Sequence, residues 1–515
     1  MKDLEEKKQR WFYMRDIVEM YVEKFNKNDE ELFLQDVPNN EVLLWMKDNV
    51  PEFHCSDKLI EEAYYFRWWV FRKHIKTTQE GRIITEFLPE VSWSGPFNSI
   101  NCAAGHHIAE ARWLKQGRSL ISEYINFWFR GSGDIYSYST WILDSINDYA
   151  IQWQDHDFIQ SLLKEFVKFY EHIESTNMTK YGLFWSDDDR DAMEMSISGK
   201  GLRPTLNSYM YGNCLVIGSL AKKAGEHLLA EKYFRKAEAL KEKIVSLLWD
   251  EDAHFFKVIP QSHKDEEIHS FDFKDINKDR NVREQIGYIP WHFGLTDERH
   301  QKAWQFLNDP NGFKGDYGPT TAERSHHLFN KKSTHHECLW NGPSWPFATT
   351  QTLNSMIYEM ENNSVSIQPK DFLRELRNYA NSFYRVTGEG EKINWLDENI
   401  EPNTGEWLSR RILEAWGWPK NKGGRERGKD YNHSTFNDLV IRGMCGIKIV
   451  EENTIHICPH VDNTVESFTI KDLIIFNKKL TIEYKKCNEK NQKNNMFVIY
   501  DGENYEGYKS LILKK

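Results

Sequence analysis

Residues 181–212, YGLFWSDDDRDAMEMSISGKGLRPTLNSYMYG, crowd Asp187, Asp188, Asp189, Asp191 and Glu194 beside Phe184 and Trp185. Carboxylates interleaved with rings suit a pocket for a polar, ring-shaped ligand, where they accept hydrogen bonds or give up a proton. The competing reading is an ordinary acidic loop beside a helix. A second acidic candidate, Glu398, lies in LDENIEPNTGEWL, where Pro402 to Gly405 form a turn that would hold the loop. A third segment, CLWNGPSWPFATT, carries Trp340, Asn341 and Trp345 on a backbone stiffened by Gly342, Pro343 and Pro346. Rigidly presented indoles can stack on sugar rings; core packing is the alternative. Cleaving a glycosidic bond takes two carboxyl groups, one on each side of the bond. Glu194 and Glu398 are far apart in sequence, yet both sit among aromatics at the entries to helices.

Other candidates fall in similar places. The loop running into a helix near Ala103 holds Trp93, Asn98 and His106. His106 and His107 are adjacent and point in different directions on a helix, so they make no ready metal pair. Trp185, Arg190, Arg203 and Asn207 extend the acidic segment; the arginines either orient carboxylates or bind a charged substrate group, or form structural salt bridges. Tyr317 lies in KGDYGPTTAERSHH. Asn432 and His433 open the last expected helix, with N-capping as a competing role for Asn432.

The elements that position these residues repeat. A Gly/aromatic/polar loop enters one helix, and a plainer amphipathic helix follows, as in TLNSYMYGNCLVIGSLAKKAG and then HLLAEKYFRKAEALKEKIVSLLWD. Asn39 and Asn40, or Ser56 and Asp57, are expected helix caps. Helix pairs whose loops gather at one end predict a mainly α toroid of hairpins with its pocket at the mouth. After residue 447 the texture alternates apolar and polar, with Lys478, Lys479 and CNEKNQKNN at expected turns. Two domains are therefore expected, 1–447 helical and 448–515 a small antiparallel β domain.

Composition narrows the partners. A net charge of −11 would repel a phosphate backbone, so nucleic acid is not expected. No apolar run approaches the ~20 residues that span a bilayer. MKDLEEKKQRWF lacks the apolar core of a secretory signal. The seven cysteines are scattered, without CxxC, which predicts free thiols, a cytoplasmic address and no zinc site. No metal or cofactor is expected.

Several of these segments resemble family 63 glycoside hydrolases and the mannosylglycerate hydrolase-like enzymes. WNGPSWPFATT is similar to their WRGPxW segment, and ENIEPNTG to E-N-Y-x-P-x-T-G, whose Glu is the general base; that role carries over to Glu398. DAMEMS resembles the segment holding the general acid, and RPTLNSYMY the P-x-D-L-N helix after it. The acid role falls on Glu194, with Asp191 as the alternative because the family has Asp there. The resemblance covers roughly residues 80–447. It implies an (α/α)6 toroid and inverting hydrolysis of an α-glucosidic or α-mannosidic bond in a small saccharide or glycoside. Burial against Trp185 and Phe184 and the neighbouring acids would raise the Glu194 pKa. Three other classes remain open. A non-catalytic glycan-binding toroid would not need both glutamates. A lyase or epimerase would use His106, His107, His335, His336 or Tyr317. A phosphorylase would need a basic pocket of the kind KNKGGRERGKDYNHS could supply, although a solvated charged loop is the plainer account of that run.

Overall fold

The computed structural model describes residues 16–331, 335–362, 364–450, 453–486 and 495–514. The start of the first expected helix, before Asp16, and most of CNEKNQKNN lie outside the described residues. The molecule is mostly helical, with small antiparallel sheets toward the C-terminus. No helix among the described residues is long and apolar enough to cross a membrane.

Two successive helix pairs each set a helix buried almost all round beside one buried along a single side. Pro204–Lys223 is buried almost all round, whereas His227–Leu248 packs against it through Ala230, Tyr233, Ala237, Leu240, Ile244 and Leu248. That spacing is one apolar stripe of a 3.6-residue period, so the outer helix turns its other side to water. Pro346–Glu361 and Pro369–Asn381 repeat the arrangement. Pro204, Pro346 and Pro369 each open their helix, where the missing N–H has no intrahelical acceptor to lose. Asp57 caps Lys58–Phe71 by accepting from the Leu59 and Ile60 amides. The loops leading into Ala104–Ala111, Pro204–Lys223 and Pro346–Glu361 carry Trp93, Glu194, Trp340 and Trp345, and the loop before Leu408–Ala415 carries Glu398.

The expected last helix differs. Residues 431–436 are irregular and buried, and the short helix that begins at 437 runs straight into the π-type turn Leu439–Met444. Its entry is held by the buried carboxylate of Glu110, which accepts from the amides of Phe436 (3.3 Å), Asn437 (3.0 Å) and Asp438 (2.9 Å). One side chain thus satisfies amides that a regular helix start would leave to a cap.

The larger sheet orders its strands as Glu52–Cys55, Ser467–Ile475, Lys478–Lys485, Asn495–Tyr500 and Glu503–Gly507. Phe468, Ile470, Leu473 and Ile475 are buried, with a bulge after Ile470 that resets the alternation. The strand Glu52–Cys55 comes from the N-terminal part of the chain and pairs with Ser467–Ile475. A smaller sheet joins Ile447–Val450, Thr454–Ile457 and Leu511–Lys514. Arg377, on an outer helix, reaches Asp462 at 2.8 Å and Asp57 at 2.7 Å, tying sheet and helices together.

Candidate active site

Glu194 sits on a tight loop entered through Asp189–Asp191. The Met193 amide donates to the Asp188 carbonyl at 2.9 Å. Ala192 (φ 58°) and Met195 (φ 64°) flank it in the left-handed region, which L-residues adopt only under constraint from their surroundings. That constraint is Asp191. Its Oδ1 accepts from Ser139 (2.7 Å) and Ser186 (2.6 Å), and its Oδ2 accepts from Arg203 Nε at 2.6 Å, all buried. The loop is fastened from the other side by the Trp340 amide, which donates to the Glu194 carbonyl at 3.1 Å.

Glu398 is held from its own side. Ile400 and Ser344 exchange backbone hydrogen bonds at 2.9 and 3.0 Å, joining this loop to the one that carries Trp340 and Trp345. The Glu398 amide donates to Asp397 Oδ1 at 2.8 Å. Gly428 lies so close to Asp397 that an added Cβ would fall 2.0 Å from Oδ1. Only glycine lets the chain around Arg427 approach this far.

Both glutamates line one cavity of about 260 Å³. Trp340 and Trp345 form part of its wall, stacked at 4.6 Å and 13°. Trp345 Nε1 donates to the Leu339 carbonyl at 2.8 Å, while Trp340 Nε1 has no protein partner. His433 stacks on Tyr431 at 3.8 Å and also lines the cavity; neither of its ring nitrogens has a partner. Burial keeps His433 well below the ordinary histidine range, hence neutral. Trp93 completes the aromatic lining.

Burial, and then the charges of Asp189, Glu398 and Glu86, push Glu194 up to about 8. Glu194 is therefore mostly protonated at neutral pH. Glu398 forms a buried ion pair with Arg427 Nη2, and Arg427 Nη1 reaches Glu337 Oε1 at 2.6 Å. Lys422 Nζ lies 3.0 Å from Glu337 Oε2. Opposite, Glu86 accepts from the Tyr431 hydroxyl and, at 3.4 Å, from the Cys102 thiol. Burial raises Glu86 to about 7.

Glu194, Glu398, Asp189, Trp93, Trp340, Trp345, His336 and His433 thus converge on the cavity, and the other sequence candidates are not among its lining residues. Asp191, the alternative acid, has its carboxylate saturated by two serines and Arg203, so both it and Arg203 are structural anchors. Arg190 is exposed and donates to the Ser137 carbonyl. Trp185 donates to the Gln261 carbonyl at 3.0 Å. Asn207 ties down Phe184 through its amide and carbonyl, both at 2.8 Å. Asn98 knits its own loop, donating to the carbonyls of Phe87 (3.0 Å) and Pro89 (2.9 Å). His106 is buried between Trp141 and Phe347. Tyr317 packs on Gly405, and Asn341 and Asn432 donate to the carbonyls of Lys331 (2.7 Å) and Thr85 (3.2 Å).

The sequence reading missed Glu86, Glu337, Arg427 and Tyr431. Glu86 stands just ahead of the loop that runs into the helix near Ala103, in GRIITEFLPEV, and KNKGGRERGKDYNHS reads as a solvated charged loop. A buried charge inside an apolar or flexible-looking run was the available signal. Among the described residues, Asp187, Asp188 and Asp189 bring carboxylate oxygens within 4.8 Å of one another; Lys200 stands 3.6 Å from Asp187.

The family model for the mannosylglycerate hydrolase MGH1-like glycoside hydrolase domain matches residues 96–434. Comparison with curated proteins gives no match. Among solved structures, a sialidase is 34% identical with a TM-score of 0.85, over 97% of this chain and 44% of its own. A family 78 rhamnosidase of Bacillus sp. GL1 is 11% identical (TM-score 0.56; 87% of this chain, 41% of its own). An α-L-rhamnosidase of Streptomyces avermitilis, solved with L-rhamnose, is 9% identical (TM-score 0.52; 88% and 37%). The chain therefore spans less than half the length of these three, and the two rhamnosidases inform the fold alone.

Proposed function

Because the chain belongs to the mannosylglycerate hydrolase MGH1-like family of glycoside hydrolases, we propose that it hydrolyses an α-glucosidic or α-mannosidic bond in a small saccharide or glycoside. Glu194 is the general acid and Glu398 the general base. The observation that carries this reading is one cavity lined by a carboxyl held protonated and a carboxylate held against a guanidinium. Two acids whose surroundings separate their protonation states are what the division of labour requires.

In this reaction Glu194 donates its proton to the departing glycosidic oxygen. Glu398 takes a proton from water as that water attacks the anomeric carbon from the opposite face. Arg427 orients the Glu398 carboxylate. The indoles of Trp340 and Trp345 offer an apolar wall to the ring, and His433 a neutral partner for a hydroxyl. A glycan-binding module would have no use for the difference between the two carboxyls. In this reading residues 1–447 form an (α/α)6 toroid, residues 448–515 are a structural appendage, and the free cysteines suit a reducing cytoplasm.

The test is a panel of α-linked glucosides and mannosides followed by NMR from the first turnover. Release of the β-anomer first supports inversion. Release of the α-anomer first replaces inversion with a retaining double displacement, and failure to cleave any α-linked member ends the assignment.

A further inference from the structure

Resting on the glycoside-hydrolase reading of the cavity, we propose that Glu337 is a positioning residue for the base: it acts through Arg427 and fixes which oxygen of Glu398 faces the attacking water.

Glu337, Arg427 and Glu398 are all buried and line the cavity. Arg427 Nη2 pairs with Glu398 Oε2, and Nη1 donates to Glu337 Oε1 at 2.6 Å. A guanidinium is planar, and its donors form a rigid fork. Its Cζ lies over the rings of Trp93 (5.2 Å) and Phe87 (5.5 Å). Those rings limit tilting but let the group turn in its own plane. A single hydrogen bond to Glu398 does not stop that turn; a second, to Glu337, does. The Lys422 carbonyl stands 3.5 Å from Nη1, at the limit of a hydrogen bond, and Nε has no partner in the protein.

With the fork fixed, Glu398 Oε2 is committed to Arg427. Oε1 meets the Cys338 thiol at 3.9 Å, a weak donor. Oε1 is therefore the oxygen left to take a proton from water. A guanidinium turned in its plane would carry the carboxylate with it, and a misplacement of ~1 Å at a reacting group can cost ~10²-fold in rate.

Glu337 is itself well anchored. Its carbonyl accepts from Asn399 Nδ2 and Ser409 Oγ, both at 3.2 Å, and Asn399 directly follows Glu398. Burial opposes its charge, but Arg427 and Lys422, whose Nζ lies 3.0 Å from Oε2, hold it below the ordinary glutamate range. It stays an ionised acceptor for the fork.

Reach and charge separate this role from a purely electrostatic one. Glu337→Asp keeps the charge and loses the reach to Nη1; Glu337→Gln loses the charge and keeps an oxygen at the same reach. Kinetics of the full chain are measured on the α-linked glycoside that the wild-type protein cleaves fastest. Glu337→Asp should lower kcat by at least ~10-fold with KM changed by no more than about 3-fold, and Glu337→Gln should recover most of that loss. The reverse order, with Asp active and Gln impaired, overturns the positioning role in favour of charge. An unchanged kcat in Glu337→Asp also overturns it. Glu337→Gln decides by itself as well: a kcat lowered ~10-fold or more in protein with native circular dichroism sinks the role. Wild-type hydrolysis without the expected pattern in the variants removes Glu337 and leaves the hydrolase reading standing, whereas no wild-type turnover removes both.

Discussion

Arg427 and Glu398 form an ion pair at the cavity wall with both side chains about 1% exposed. The guanidinium neutralises the carboxylate's charge and fixes where its oxygens point. The neighbouring acid responds differently: burial, followed by the charge of Glu398, pushes Asp397 up to about 7. Adjacent residues in sequence therefore stand in unlike electrostatic settings, one paired with a cation and one half-neutral at physiological pH.

Replacing Arg427 by Met should leave Glu337 and Glu398 buried without their shared partner. Unfolding in urea is expected to show a loss of about 3–5 kcal/mol, the usual penalty for breaking a buried pair from one side. Glu398→Gln, by contrast, should keep most of the stability and ligand affinity while kcat falls by about 10²–10⁴. If the Glu398→Gln protein turns over at near-normal rate, the base lies elsewhere.

As the proposed general acid, Glu194 would have to carry its proton, and burial pushes it up to about 8. The rate profile of kcat/KM should therefore fall on the alkaline side near pH 8. Glu194→Gln should lower kcat by about 10²–10⁴ toward poor leaving groups. A dinitrophenyl glycoside, whose leaving group needs little protonation, should recover much of that loss and lack the alkaline limb. An alkaline limb that persists unchanged in Glu194→Gln would assign it to another group.

Asp191 offers the opposite signature. Asp191→Asn removes the partner of the buried Arg203, so a stability loss of about 3–5 kcal/mol is expected. Activity per folded molecule should suffer through the displaced Glu194 loop, with no change in the position of the alkaline limb. A limb that moves in Asp191→Asn without loss of stability would return the acid role to Asp191.

Stability itself should decline from pH 6.5 to 8. Glu86, Glu110 and Asp397 are raised to about 7 and Glu194 to about 8, all from ordinary values near 4. In that window the unfolded chain has already shed these protons while the folded protein still holds them. Folded protein then binds more protons, and stability falls as pH rises. The buried histidines His74, His106, His107 and His433 are lowered from 6.5; they destabilise the fold only as pH drops below that value. Thermal melting from pH 6.5 to 8 should show a falling Tm, shallower in Glu194→Gln. A flat or rising Tm would contradict the buried-carboxyl account.

Much of the cavity could be read from the chain alone. Trp340 and Trp345 announce themselves because glycine and prolines stiffen the backbone around them, and Glu194 because carboxylates rarely crowd beside rings without a purpose. These are local signals, carried by neighbours within a few positions. Asp191 and Arg203 carry the same local signal, but their side chains are taken up by each other and by two serines, a contact no local pattern displays.

The helix-pair architecture, the strand-rich tail and the two glutamates were determined by the sequence itself, since periodicity and residue type act over short stretches. Which acid meets the cavity, and which cation meets which acid, was decided by the tertiary structure. Arg427 sits in a run that reads as solvated charge, and Glu86 in a loop entry with no acidic or aromatic cluster to mark it. Each becomes part of the site only when loops hundreds of residues apart close over it, because a charge can remain buried only where distant segments supply its partner.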